Sequence, residues 1–111
     1  MTIRELFDYI MLVKPHTFSD SVQLLWLNEL EGRIQLDIFL LATEEVKSYS
    51  LPEDEDRELL LPAAHTGIYR AWMKAQVHRA NGNTAKYENE MQLFNSAWNE
   101  YACRHAETGG R

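Results

Sequence analysis

Cysteine is almost missing from this chain of 111 residues, because Cys103 is the only one. A single thiol excludes an internal disulfide and a zinc site built from several cysteines. Long apolar runs are missing too, since no stretch reaches the roughly 18 residues that a membrane helix needs. The first residues include Glu5 and no apolar run, so no signal peptide is expected. These absences favour a globular protein with no membrane contact.

Motifs of known chemistry are also lacking. No glutamate stands three residues before any of the four histidines, and the sequence contains no H-E-x-x-H. Gly82 stands alone, which excludes a glycine-rich phosphate loop. Cys103 and His105 are two residues apart and would face different sides of a helix, so a nucleophile–base pair is not expected. We therefore expect no catalytic residues, no metal, no cofactor and no enzymatic activity, with Cys103 at least half-buried.

What the chain does contain is an ordinary share of apolar residues, 45%, and of charged residues, 25%. With this length, the composition predicts a single helical domain over residues 1–111. The net charge of −6 is unevenly distributed. Residues 44–58 hold seven acids and two bases, whereas no acid occurs from Leu59 to Tyr87. An acidic segment is thus followed directly by a basic one.

Helical periodicity predicts the first two helices. Thr2 and Glu5 form the T-x-x-E pattern of a capping box, and Lys14-Pro15 should end this short helix. The second helix should begin near Ser19 and run to about Leu41. Its apolar stripe is wide enough to suggest a central helix with neighbours on two sides. The residues assigned to the core face are Val22, Leu25, Trp26, Leu30, Ile34 and Ile38.

Two further helices are predicted in the second half. The third should cover residues 66–80, and Asn81-Gly82-Asn83 should turn the chain tightly into the fourth, giving an antiparallel hairpin. Residues 108–111 are expected to fray. The fold class is therefore mainly α, a small bundle of about four helices. The apolar stripe of the fourth helix consists of Tyr87, Met91, Phe94, Trp98, Tyr101 or Ala102, and His105. Two further aromatics assigned to the core are Trp26 and Trp72.

A long acidic loop, residues 42–64, separates the second and third helices, and Leu59-Leu60-Leu61 could form a short extended segment in it. Its acids lack the spacing and the glycine of a calcium loop. A solvated linker and a contact-making arm both remain open. The basic side of the third helix could touch nucleic acid, but the acidic chain lacks the cationic excess that backbone binding uses. A solvated face, or a partner for the acidic loop, is favoured.

Three segments together resemble a known family: KPHTFSDSVQLLWLNELEGRI, YSLPEDEDRELLLPAAHTGIYRAWMKAQVHRANGN and KYENEMQLFNSAWNEYA. They are similar to the head–tail connector, or head-completion adaptor, proteins of long-tailed phages and prophages. The similarity extends from about Ile3 to Ala102, and it rests on the order and spacing of W-L-N-E-L-E-G-R-I, Y-x-x-P-E-D, E-L-L-L-P and F-N-x-A-W. None of these is a chemical signature.

The resemblance implies a helical, non-enzymatic virion protein that assembles as a ring beneath the portal. The implied partners are further copies of the chain, the portal protein, other connector or tail-completion proteins, and DNA that passes without sequence-specific binding. The implied location is the virion, and the host cytoplasm during assembly. An alternative remains open: a small helical protein-binding module or regulator that acts as a dimer and docks another protein's helix in a groove beside the second helix.

In a ring, each subunit needs two different faces that match head to tail. The acidic loop with the short apolar run behind it would suit contact with a neighbour, whose acid-free third helix would be the electrostatic complement. The same acids could instead line the DNA channel. Residues 51–61 would be mobile in an isolated subunit, because adjacent acids repel and bury nothing. The predicted interface residues are Glu53, Asp54, Glu55, Asp56, Leu59, Leu61, Arg70, Lys74 and Arg79.

Overall fold

A computed structural model describes residues 1–108, and this part of the chain folds into four α-helices. They are α1 (Ile3–Val13), α2 (Asp20–Arg33), α3 (Gly67–Ala80) and α4 (Thr84–Glu107). The prediction of a mainly helical small bundle is confirmed. Most of the tail that was expected to fray, residues 109–111, lies outside the described residues.

Helix α1 begins and ends where its local sequence predicts. The Thr2 hydroxyl accepts a hydrogen bond from the Glu5 amide at 3.1 Å, and the Glu5 carboxylate accepts one from the Thr2 amide at 2.9 Å. This capping box satisfies two amide groups that the helix itself leaves unpaired. The helix ends before Lys14-Pro15. One apolar face then enters the core, formed by Ile3, Leu6, Phe7 and Ile10.

The core face predicted for the second helix is confirmed in part, because Leu30, Ile34 and Ile38 are buried as assigned. The prediction was wrong at Val22 and Leu25, which are 36% and 69% exposed. The buried face also carries polar side chains, and two of them, Glu31 and Gln35, form hydrogen bonds with residues of the following loop. The helix was also expected to reach about Leu41, but it widens into a π-helical turn over Ile34–Ile38 and ends there. The polar residues buried on this side are Gln23, Glu31 and Gln35.

The central helix is α3, so the assignment of that position to the second helix was wrong. Helix α3 contacts each of the other three helices. A helix that is enclosed on several sides has no clear polar face. Hydrophobic periodicity therefore does not reveal that it is the central helix. Its buried residues surround the helix axis: Ile68, Tyr69, Ala71, Met73, Ala75, Gln76, Val77 and His78.

The turn between α3 and α4 forms as predicted. Gly82 has a φ of 76°, and its amide donates to the Arg79 carbonyl at 3.1 Å. The Asn83 amide donates to the His78 carbonyl at 2.9 Å, which completes a Schellman motif. The Asn83 side chain then accepts from the Lys86 amide and caps α4. The predicted stripe of α4 packs on the core, with Phe94 and Tyr101 buried.

Substitutions at Gly82 and Gly32 are expected to change the stability in opposite directions. Gly82→Val should lower the free energy of unfolding by about 1–2 kcal/mol, because a β-branched residue is strained at positive φ. Gly32→Ala should raise it by up to about 1 kcal/mol, because glycine weakens a helix interior and an added Cβ at Gly32 meets no atom within 4 Å. Chemical denaturation of both variants measures the difference, and equal stabilities would contradict the expectation.

The long segment between α2 and α3 is irregular, with short 3₁₀ turns at Thr43–Glu45 and Ala63–His65. The expected extended run at Leu59–Leu61 is reduced to one isolated bridge between Thr2 and Glu58. The four adjacent acids are not buried, but two of the leucines that follow them are. Leu59 and Leu61 are 6% and 3% exposed and belong to the core of their own chain.

Candidate functional site

Two amide side chains, one in α2 and one in the π-helical turn that follows it, hold the first part of the acidic loop. Gln35 accepts from the Lys47 amide at 3.0 Å and donates to the Lys47 carbonyl at 2.9 Å. Asn28 accepts from the Tyr49 amide at 2.8 Å and donates to the Tyr49 carbonyl at 3.1 Å. Each amide therefore pairs with both backbone groups of one residue, as a neighbouring β-strand would. The two side chains thus supply to Lys47 and Tyr49 the hydrogen bonds that a neighbouring strand would supply.

Between these two amides, the fully buried carboxylate of Glu31 accepts three hydrogen bonds. The donors are the Tyr49 hydroxyl at 2.6 Å, the Tyr69 hydroxyl at 2.6 Å and the Leu60 amide at 3.1 Å. The Tyr69 oxygen in turn accepts from the Leu61 amide at 3.0 Å. We call Glu31, Tyr49 and Tyr69 the carboxylate cluster. It joins α2, α3 and the loop at one buried point.

Burial sets the acid–base properties of the carboxylate cluster. It raises the pKa of the Glu31 carboxyl, although the hydrogen bonds from both tyrosines and from the Leu60 amide act in the opposite direction. Burial also raises the pKa of the Tyr49 and Tyr69 hydroxyls, and the neighbouring Glu31 adds to the effect. Through Tyr49 and the Leu60 amide, the carboxylate cluster holds the loop against α2.

The acidic arm, which we define as residues 51–61, covers the N-terminus of α1. The Arg57 carbonyl accepts from the Ile3 amide at 3.2 Å, and the Glu55 carbonyl accepts from the Arg4 amide at 2.9 Å. The first turn of a helix has amides with no intrahelical partner, and its positive end favours nearby acids. The arm supplies both the carbonyl partners and the negative charge.

Three acids of the acidic arm are engaged within the chain, and one of them is Glu58, which lies 2.8 Å from the N-terminal ammonium group of Met1. Glu55 lies 3.5 Å from the Arg4 guanidinium, which also contacts Asp20 at 2.7 Å. The hydrogen bond to Asp20 raises the pKa of Arg4. Asp54 contacts Arg57 at 3.3 Å. These exposed ion pairs orient the arm more than they stabilise it.

The remaining predicted arm residues divide into two groups. Glu53 and Asp56 are exposed and form no ion pair within residues 1–108. Leu59 and Leu61, at the end of the arm, are buried in the core of their own chain. The prediction that a neighbouring subunit covers them was therefore wrong for this chain. Only the outer acids of the arm remain open to a partner.

The predicted basic residues of α3 do not form one surface. Arg70 lies over the ring of Tyr9, with 5.5 Å from its guanidinium carbon to the ring centroid. Lys74 pairs with Glu90 of α4 at 3.6 Å, so its charge is already compensated. Arg79 is exposed near the end of the helix. None of them forms an ion pair with an acid of the acidic arm within residues 1–108.

An aromatic cleft between α2 and α4 was missed by sequence reasoning. It encloses about 350 Å³, with Trp72 of α3, Phe94 and Trp98 in its wall. The Phe94 ring lies 5.2 Å from Trp72 and 5.7 Å from Trp98, centroid to centroid. The Trp72 indole donates to the Trp26 carbonyl at 2.9 Å. Trp72 and Trp98 were assigned to the core, but both are only half-buried and line the cleft.

A second cavity of about 510 Å³ continues the cleft and shares Asp37 with the first. Phe39 stacks against His105 there, at 5.3 Å between ring centroids. Leu40, which is 79% exposed, has a φ of 58°. A non-glycine residue at positive φ, directly after a π-helical turn, is a combination found more often at functional sites than elsewhere. We refer to both cavities together as the aromatic cleft.

The described residues offer little else that could carry chemistry. Cys103 is exposed, which corrects the expectation of a buried thiol. No cluster of three or more potential metal-ligating side chains occurs in residues 1–108, and no described helix is long and apolar enough to cross a membrane. Comparisons with protein-family models, curated proteins and solved structures found no match. Evidence for a function therefore comes from the surfaces of the chain and from the sequence resemblance.

Proposed function

We propose that this protein is a non-enzymatic structural subunit that acts by binding other protein chains. The aromatic cleft is the observation that carries this proposal. Its wall contains three large apolar side chains that the fold leaves only half-buried, Trp72, Met91 and Trp98. Tryptophan and methionine are enriched at the centres of protein interfaces, where a few such residues supply most of the binding energy.

The more specific proposal is a head–tail connector subunit of a tailed-phage virion, assembled as a ring under the portal. It is supported by the sequence resemblance over residues 3–102. The partners would be further copies of the chain, the portal protein and other connector or tail-completion proteins. A net charge of −6, concentrated in residues 44–58, suits a channel wall that lets DNA pass without binding it.

A second candidate function is a dimeric module that docks a helix of another protein. The position of the aromatic cleft beside α2 favours it. From Met91 to Ala106 the cleft follows α4 for roughly 22 Å, which is about four turns of a docked helix.

Electron microscopy of the purified protein, alone and mixed with portal protein, separates the two functions. A connector subunit should form rings, or join the portal in rings. A protein that stays dimeric and does not bind the portal protein would contradict the connector proposal and favour the docking module.

The outer and inner acids of the arm should behave differently in this assay. Glu53→Gln with Asp56→Asn should leave the melting temperature unchanged, because neither acid has an ion-pair partner within residues 1–108, but should alter the rate and salt dependence of assembly. Asp54→Asn with Glu55→Gln should instead lower stability, by no more than about 1 kcal/mol per ion pair. Thermal melts and assembly across a salt series measure both. If neither pair of substitutions changes assembly, the arm contributes only to the fold of its own chain.

A further inference from the structure

We infer that the aromatic cleft receives the end of α1 from a second copy of this chain. The inserted segment, which we call the apolar tip, consists of Met11, Leu12 and Val13. This inference rests on the proposed self-assembly and names the two surfaces that meet in it.

The apolar tip is an unusual surface for a helix that already has a buried face. Its three residues are consecutive and all exposed, and Leu12 reaches 80%. The core face of α1 ends at Ile10, so burying the helix against its own chain does not require them. A contiguous exposed apolar group of this kind marks an interaction surface.

The tip and the aromatic cleft lie on opposite sides of α3. Helix α1 packs on the side of Arg70, whose guanidinium lies over the Tyr9 ring. The cleft lies on the side of Trp72, two residues further along, and two helical steps turn the direction by about 200°. Helix α1, which carries the tip, and the cleft therefore contact different sides of α3. Two different surfaces on opposite sides are what a head-to-tail contact requires.

The charges beside the two surfaces are complementary. Lys14 directly follows the tip and forms no ion pair within residues 1–108. On the cleft wall, Glu29 is exposed and likewise has no ion-pair partner among the described residues. Arg33 and Asp37 also line the cleft and lie 4.0 Å apart, so Glu29 carries the uncompensated negative charge of this wall. Insertion of the tip would bring Lys14 towards Glu29 and fix the orientation of the contact.

The test uses one exposed substitution on each surface. Leu12→Asp disables the tip, and Asn95→Arg places a long charged side chain in the cleft, where Asn95 is exposed. Each variant alone should lose roughly tenfold or more in self-association. Leu93→Asp, an equally polar change at a 60% exposed position of α4 outside the cleft wall, is the matched control and should assemble like the parent. Thermal melts check that all three variants fold.

Mixing the tip and cleft variants gives the decisive measurement by analytical ultracentrifugation. The mixture should form one-to-one dimers that grow no further, because one intact tip meets one intact cleft. The inference would be overturned if the mixture stayed monomeric or if the single variants assembled like the parent. Neither result would contradict the connector proposal. The inference would also be overturned by a cleft variant that loses portal binding while self-assembly is unchanged. A parent chain that never self-associates also overturns it, whereas the connector function falls only if portal binding is absent too.

Discussion

Glu31→Leu is expected to lower the free energy of unfolding by about 3–5 kcal/mol, because it removes the acceptor of three hydrogen bonds and leaves buried donors unpaired. The Tyr69 hydroxyl and the Leu60 amide would then have no carboxylate. The loss is a large part of a small domain's stability. Chemical denaturation measures it, and Glu29→Leu, two residues away on the exposed side of α2, is the control.

The same carboxylate predicts a pH dependence. Because burial raises the pKa of Glu31 in the folded chain, the folded state binds its proton more tightly than the unfolded state does. Its contribution is therefore complete below the unfolded pKa, near 4.5, and is lost as the pH rises through the folded pKa. Glu31→Gln cannot titrate, so the stability of the parent relative to this variant should fall with rising pH.

A parallel series with Glu29→Gln removes the contribution of an ordinary exposed carboxylate. If the parent and Glu31→Gln show the same pH profile, the carboxyl is not shifted in the folded chain. If Glu31→Leu is as stable as the Glu29→Leu control, the carboxylate cluster does not hold the loop.

Leu61→Ala is expected to cost about 2–4 kcal/mol of unfolding free energy, because it opens a cavity in the core. Leu61 is 3% exposed, whereas the adjacent Leu60 is 42% exposed. Leu60→Ala should therefore cost less than about 1 kcal/mol and serves as the matched control. Urea denaturation of both variants as isolated subunits measures the difference.

This pair also separates two interpretations of the acidic arm. If the arm is held only by a neighbouring subunit, Leu61→Ala would weaken assembly and leave the isolated chain as stable as the parent. The fold predicts the reverse order, in which the isolated chain loses stability first. An isolated Leu61→Ala variant that melts like Leu60→Ala would contradict the buried position of this leucine.

The local signals of the sequence predicted much of the fold. The capping box of Thr2 and Glu5, the stop at Pro15 and the left-handed Gly82 all formed as expected. Each depends on residues within about one helical turn, so the chain carries the cause and the effect together. The four helices and the α3–α4 hairpin follow from such signals.

The carboxylate cluster was not predicted, because its residues depend on partners far along the chain. Glu31 bonds Leu60 and Tyr69, which lie 29 and 38 positions away, and no period in the sequence announces such a pairing. A signal did exist: Asn28, Glu31 and Gln35 are spaced by three and four, which places three polar groups on one helix face. That stripe could have predicted a polar contact, although not its partner.

The sequence alone thus determined which segments become helices, both ends of α1, the turn between α3 and α4, and that the chain carries a concentrated acidic segment. Only the tertiary structure decided that α3 is central, that α2 turns a polar face inward and that Leu61 belongs to the core. It also opened the aromatic cleft. The physical reason is that helix formation is governed by neighbours in the chain, whereas burial is governed by which faces meet. A half-buried tryptophan such as Trp72 has the same sequence pattern as a core residue until the helices around it are placed.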